Sequence, residues 1–202
     1  MNNQRPREIL SKFYADNHLG DNGGQSSTSV KIELSPKLYF YFPNFDARRN
    51  AVVKHDIHHL VTGYETTVPG ESEISAWEIA SGCKKYWPAF FINTSGVMLG
   101  LPFNVSGVLK AFARGRRTKN LYHDKFTNDQ ALDMEVEELR AALDLDKNPR
   151  DTRPTFTDVI LFLAFAIYGA IFSIASLIFL PFIIIYTIYV MITGEKSVNK
   201  QN

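Results

Sequence analysis

The stretch "VILFLAFAIYGAIFSIASLIFLPFIIIYTIYVMIT", Val159 to Thr193, contains no charged residue, whereas almost every charge in the 202-residue chain lies before Asp158. That partition reads as a polar body followed by a membrane anchor. Its 35 residues in one helix would reach roughly 50 Å against a hydrocarbon core of about 30 Å, so one straight span does not fit. Two spans of about 17 residues do fit, provided the chain reverses near "FSIAS", Phe172 to Ser176, where small and hydroxylated residues gather. Lys147, Arg150 and Arg153 precede the run and Lys196 and Lys200 follow it, and both basic ends prefer the cytoplasmic face. The predicted anchor is therefore a transmembrane helical hairpin within residues 156–194. The alternative is one span plus an interfacial helix broken at Pro181. Deleting residues 156–202 is expected to release a folded body.

Lys plus Arg is 22 and Asp plus Glu is 21, a formal net charge of +1 that offers no general argument for nucleic-acid binding. The single cysteine, Cys83, excludes an intramolecular disulfide and cannot build a thiolate zinc cage alone. The opening residues "MNNQRPREILSKFYADNH" hold no apolar core of signal-peptide length, so the body is expected to stay on the cytoplasmic side. The sequons at Asn93 and Asn104 then read as chance.

Within the body, residues 1–30 read as a short helix followed by a flexible segment rich in glycine, serine and asparagine. Residues 31–150 read as one helical domain, which the motifs below mark as metal-binding and, by resemblance, lipid-binding. "KIELSPKLYFYFP", Lys31 to Pro43, is ambiguous: its aromatics suit a strand, yet no partner strand is evident. A helix follows from Asp46, capped by Asn44 or Asp46 and ended by Gly63, and a second begins after Pro69–Gly70. Tyr86 to Leu109 is uncharged but interrupted by Pro88, Pro102 and three glycines, which suits the wall of a greasy cavity or a membrane-facing surface. "NDQALDMEVEELRAALDL" reads as one amphipathic helix with Leu132, Val136, Leu139 and Leu143 on a single face. The expected fold class is all-α.

The chemistry concentrates in "KHDIHHLVTGYETTVPGE", Lys54 to Glu71, which carries three of the five histidines. At about 100° per residue, His55 and His59 project over the same turn with Asp56 on their flank, the spacing by which a helix offers two nitrogens and a carboxylate to one cation. Glu71, just after the "VPG" turn, is positioned to return as the fourth ligand. Glu78 lies two turns further along the same face, as a second-sphere group or proton relay, or as part of a solvated helix face. His58 lies off the ligand face. Nitrogen and carboxylate ligands without thiolate suit zinc, iron or manganese. Taken alone, the pattern also fits surface histidines that cap a helix end. A membrane desaturase is excluded because its several boxes need about eight histidines. An HD-type phosphohydrolase would need an upstream histidine, for which His18 is the only residue available.

His55, Asp56, His59 and Glu71 fit HDxxH, eleven residues, Glu. The stretch "HDIHHLVTGYETTVPGESEISAWE" resembles the signature of the fourth coenzyme Q biosynthesis protein family, including the TGY, the GE and the later Trp77 and Glu78. "AFARGRRTKNLY", Ala111 to Tyr122, with "VEELRAALDL", Val136 to Leu145, is similar to that family's closing basic-helix and ELR pattern. The resemblance covers about residues 45–146. It implies an all-helical, membrane-associated ubiquinone-biosynthesis protein that binds a polyprenylated ring. It further implies a role in oxidative decarboxylation at ring carbon one, or as a non-catalytic lipid-binding scaffold of a quinone-biosynthesis complex or homo-oligomer. His55, Asp56, His59 and Glu71 would hold the divalent metal, with Glu78 beside them. The chain departs from the family in its apolar tail, its long N-terminal segment and "SGCKKYWPAFF", which marks it as a divergent, membrane-anchored member. Lys110, Arg114, Arg116, Arg117 and Lys119 would meet anionic headgroups or solvent. Phe90, Phe91, Met98, Leu99, Leu101 and Phe103 would line an isoprenoid groove or the core.

Overall fold

The computed structural model describes residues 4–16, 27–35, 37–83, 86–194 and 197–200. Most of the flexible segment expected before residue 30 lies outside them. The fold is all-α, with helix α1 (Pro6–Asp16) followed by strands β1 (Ser29–Ser35) and β2 (Leu38–Pro43). Helices α2 (Asp46–Thr62), α3 (Val68–Ser81), α4 (Trp87–Gly100), α5 (Val105–Gly115), α6 (Asn128–Asp133) and α7 (Val136–Ala142) form the body. Helices α8 (Phe156–Ser176) and α9 (Leu180–Thr193) and a last strand, β3 (Ser197–Lys200), complete the described chain.

The small sheet answers the ambiguity of Lys31 to Pro43. β1 pairs antiparallel with β2, Val30 opposite Phe42 and Ile32 opposite Phe40, and parallel with β3, Ser29 opposite Ser197. One partner strand was thus adjacent and the other about 165 residues away, out of reach of any local pattern. The outer edge of β2 is covered by α9, whose Thr187 Oγ1 accepts the backbone N–H of Tyr41 at 3.0 Å.

α3 is the axis of the body and packs most extensively on α4 and α5. It begins at Thr67, which accepts the Gly70 N–H, with Pro69 in its first turn, where a missing N–H costs nothing. Against α4 it presents Ser72 and Ser75 to Gly96 and Gly100; a Cβ on Gly100 would stand 2.1 Å from that of Ser72. This is small-residue packing that lets two backbones approach closely. Trp77, Ile74, Ile57, Val61, Val97 and Leu139 form the fully buried centre. α2 ends as expected at Gly63, in the left-handed region with φ 76°. It starts at Phe45 without a side-chain cap, because Asn44 is engaged with Ser27 and Arg48.

Two expectations change. The helix expected over residues 128–145 divides at Met134, which is extended (ψ 155°), and the Val136 N–H is taken by the carbonyl of Gln4 from the segment leading into α1. In the tail, Phe172 to Ser176 do not reverse the chain. They lie inside α8, where the Ser173 and Ser176 hydroxyls donate to their own helix's carbonyls at Gly169 and Ser173. A 3-10 turn at Leu177–Phe179, just before Pro181, separates α8 from α9 and absorbs the proline's missing donor. α8 rests on α4 and α5 and α9 on β2, rather than on one another as the arms of a close-packed hairpin would. Together Phe156–Thr193 form one 38-residue helical run apolar enough to cross a membrane, and its most apolar window has no buried share.

The core nevertheless continues into α8. Phe162 is buried against Phe112, Phe165 packs beside them, and Asp158, 1% exposed, is held by Arg116 and by Arg117 at 2.6 Å.

Candidate metal centre

α2 and α3 run from a shared turn, so residues late in α2 face residues early in α3. The Nε2 atoms of His55 and His59 approach to 3.1 Å, Glu71 Oε2 lies 3.3 Å from His55 Nε2, and Glu71 Oε1 lies 3.6 Å from His59 Nε2. Tetrahedral nitrogen and oxygen ligands at about 2.0–2.1 Å from a cation stand roughly 3.3 Å apart, so this triangle has the size of one face of a metal site. Among the described residues, His55, His59 and Glu71 are the one group of three whose ligand atoms converge in this way.

The second nitrogen of each imidazole is already assigned. His59 Nδ1 donates to the Tyr64 carbonyl at 2.9 Å, and His55 Nδ1 donates to Glu78 at 3.0 Å. Both Nε2 lone pairs are thereby turned toward each other, an arrangement that requires a shared proton or a cation between them. Without an ion the proton belongs to His55: burial opposes its charge, but Glu78 and Glu71 outweigh that and push its pKa up to about 10.

Glu78 is fully buried, which removes the solvated-face reading. Its carboxylate accepts from His55, from His58 Nδ1 at 2.6 Å, from Asn93 and from the Tyr122 hydroxyl at 3.3 Å. Burial would raise its pKa, yet the two histidines hold it well below the usual carboxylate range. The result is a carboxylate–imidazole pair behind His55, which fixes that ring's tautomer and raises its basicity toward a metal. His58 is not a ligand: it donates to Glu78 and accepts the Leu121 N–H at 2.9 Å, and burial pushes its pKa down, so it stays neutral.

Asp56, expected as a ligand, stands outside the convergent group. Its carboxylate takes a hydrogen bond of 2.6 Å from the Tyr14 hydroxyl of α1, which ties the N-terminal helix to the flank of the site. Sequence reasoning missed Tyr14, Asn93 and Tyr122. Asn93 was visible only as a sequon; it is buried, and Asn104 caps α5, so neither is placed for a glycan.

Arg114 of α5 has internal work. Arg114 donates to the carbonyls of Thr62 and Asn148, at 3.0 and 2.8 Å, while Arg140 and Arg150 take those of Val61 and Gly63. Three guanidinium groups thus close the C-terminal end of α2, one turn past His59, where cations oppose the helix dipole favourably. Ile79, Ala80, Phe90, Phe112, Arg116, Leu161, Phe165 and Tyr168 line a cavity of about 400 Å³ between the body and α8. Of the six residues expected in an isoprenoid groove, Phe90 alone is among them.

His55 and His59 retain 12% and 9% of their side-chain exposure and Glu71 25%, so one side of the triangle opens outward. Three protein ligands with an open position is the arrangement of a site that exchanges a water or substrate group. Comparison of the chain with models of known families, with curated proteins and with solved structures gives no match.

Proposed function

We propose that this chain is a membrane-anchored metalloprotein of the type its HDxxH and Glu71 pattern resembles, acting on or holding a polyprenylated aromatic ring. The observation that carries the reading is the His55–His59–Glu71 triangle, with both Nδ1 atoms engaged by Glu78 and Tyr64, both Nε2 atoms turned toward one point, and one side open. His55, His59 and Glu71 would bind a divalent ion, zinc or alternatively iron or manganese, with Asp56 as a flanking carboxylate. A bound ion would polarise a carboxylate or phenolate of the ring, and oxidative decarboxylation at ring carbon one would in addition consume dioxygen as the oxidant. Glu78 would hold His55 in place and take no part in bond making. The helical run Phe156–Thr193 would anchor the protein as an integral membrane protein, with the body on the cytoplasmic side. Within this reading a scaffold for a quinone-biosynthesis complex or homo-oligomer needs the same lipid but not the open ligand position. That open position favours chemistry over scaffolding.

Elemental analysis of detergent-purified protein, followed by titration with a polyprenylated hydroxybenzoate and the bare acid, tests the proposal. One divalent ion per chain is expected. Tighter binding of the prenylated acid is also expected, after correction for partition into detergent, since each buried methylene contributes about 0.8 kcal/mol. No bound metal would remove the site; equal corrected affinities would remove the lipid substrate and put the HD-type hydrolase next.

A further inference from the structure

We propose that α4 lies in the bilayer beside α8, as a second membrane-embedded element that does not cross. The inference rests on the reading of α8 and α9 as the membrane anchor.

α4 has two unlike faces. Ala89, Asn93, Thr94, Val97 and Gly100 are buried against the body, whereas Phe91, Ile92 and Leu99 point away from it, followed by Phe103 in the turn to α5 and Val105 at its start; Trp87 keeps an exposed edge while stacking on Phe45. Trp87 is 53%, Leu99 63% and Phe103 81% exposed, and no charge occurs from Tyr86 to Leu109. In water such a face would be an aggregation hazard.

The polar groups along α4 are already satisfied. The Thr94 and Ser95 hydroxyls donate to the Phe90 and Phe91 carbonyls one turn back, and Asn93 points inward to Glu78. A hydroxyl closed on its own helix is the form compatible with hydrocarbon.

What covers the face is decided by α8. Phe172 of α8 stacks on Phe91 with centroids 5.2 Å apart, Tyr168 leans on Phe90, and Gly169 lets Met98 approach to 2.7 Å of a would-be Cβ. Phe172 lies about 24 Å along the helix from Phe156, at 1.5 Å per residue. Ile160, Leu163, Ile167, Ile171 and Ile174, on the rest of α8, are exposed and apolar. The exposed faces of α4 and α8 therefore form one continuous apolar surface, and lipid that surrounds the second half of α8 reaches Phe91 and Ile92. Gly96 and Gly100, which seat α4 on Ser75 and Ser72, give this pair the close packing common among membrane helices.

The test places a spin label, one at a time, on Ile92→Cys, Leu99→Cys and Phe103→Cys in the full chain in lipid nanodiscs, leaving the buried Cys83 unlabelled. Ile185→Cys in α9 and Glu137→Cys in α7 serve as membrane and aqueous references. Collision with dissolved oxygen and with a water-soluble nickel chelate gives the depth. Labels at 92, 99 and 103 are expected to match position 185, with loss of nickel access. If they match position 137 while 185 is deep, α4 is outside the bilayer and the inference falls although the anchor stands. If they are shielded from both reagents, protein covers the face and the inference falls likewise. If position 185 is itself aqueous, the anchor reading fails and takes the inference with it.

Discussion

Gly100 of α4 sits so close to Ser72 of α3 that a methyl group there would overlap the serine's Cβ and crowd its Cα at 3.5 Å. Ser72 follows Glu71 directly, so the distance between these two helices also sets where a metal-site carboxylate lies. Gly100→Ala should destabilise the protein by about 1–3 kcal/mol, the range for overpacking a tight contact. It should also weaken metal binding. Ser72→Gly in the same chain should restore both, measured by thermal unfolding and metal titration; an unchanged single variant would contradict the close approach.

Removing a ligand and removing its support should differ. His59→Ala and Glu71→Ala should leave purified protein with a small fraction of its metal. Glu78→Gln keeps the ligands but weakens the partner of His55, and should lower metal affinity by about 10–100-fold. His58→Ala should keep the ligand set while costing about 1–3 kcal/mol of stability, because it leaves buried donors and acceptors unpaired. Full metal retention by the Glu71 variant would take that residue out of the site.

The metal-free protein should show a defined pH dependence. His55 has its pKa raised from 6.5 to about 10, so its contribution is complete below pH 6.5 and is lost as the pH rises through 10. Glu78 is depressed from 4.5, so its contribution is complete above that value and is lost on acidification below it. Metal-free stability should therefore be greatest between these limits and fall on the alkaline side. A metal on His55 must displace that proton, so affinity should rise by about tenfold per pH unit between pH 7 and 9. A chelator competition that gives a flat profile would mean that His55 is not protonated without metal.

Where the tail is cut should matter. Ending the chain at Ser176 keeps Asp158, Phe162 and Phe165 in place. Ending it at Thr155 leaves Arg116 and Arg117 facing no carboxylate and opens the core at Phe112. Only the shorter chain should lose its cooperative unfolding transition, since loss of one buried aromatic alone costs about 3–5 kcal/mol. A cooperative body without α8 would show that the core closes without it.

The helical site was legible because one helix supplied both histidines and one turn returned Glu71; spacing alone brings such groups together. The absent charge from Val159 to Thr193 likewise announced the apolar run. Glu78 was legible only as a second-sphere candidate on the face of Glu71; its burial was not, because its donors come from α2, α4 and the segment after α5, and no window of sequence holds all of them. The arginines at the end of α5 and just after it misled for a related reason: composition marks them as basic, while only packing reveals that Arg114 turns inward to carbonyls and that Arg116 and Arg117 hold Asp158. Ser173 and Ser176 have the composition of turn residues, but in an apolar helix their hydroxyls close on the backbone behind them.

The carboxylate of Glu78, cut off from water, also sets an electrical balance. A doubly charged ion, the formal charges of Glu71 and Glu78, and two neutral imidazoles sum to zero, Asp56 lying on the flank outside this group. A triply charged ion would leave one unit of positive charge uncompensated beside a fully buried group, a costly arrangement at low dielectric. Among the ligands and their buried partner, a divalent ion is thus the charge that balances.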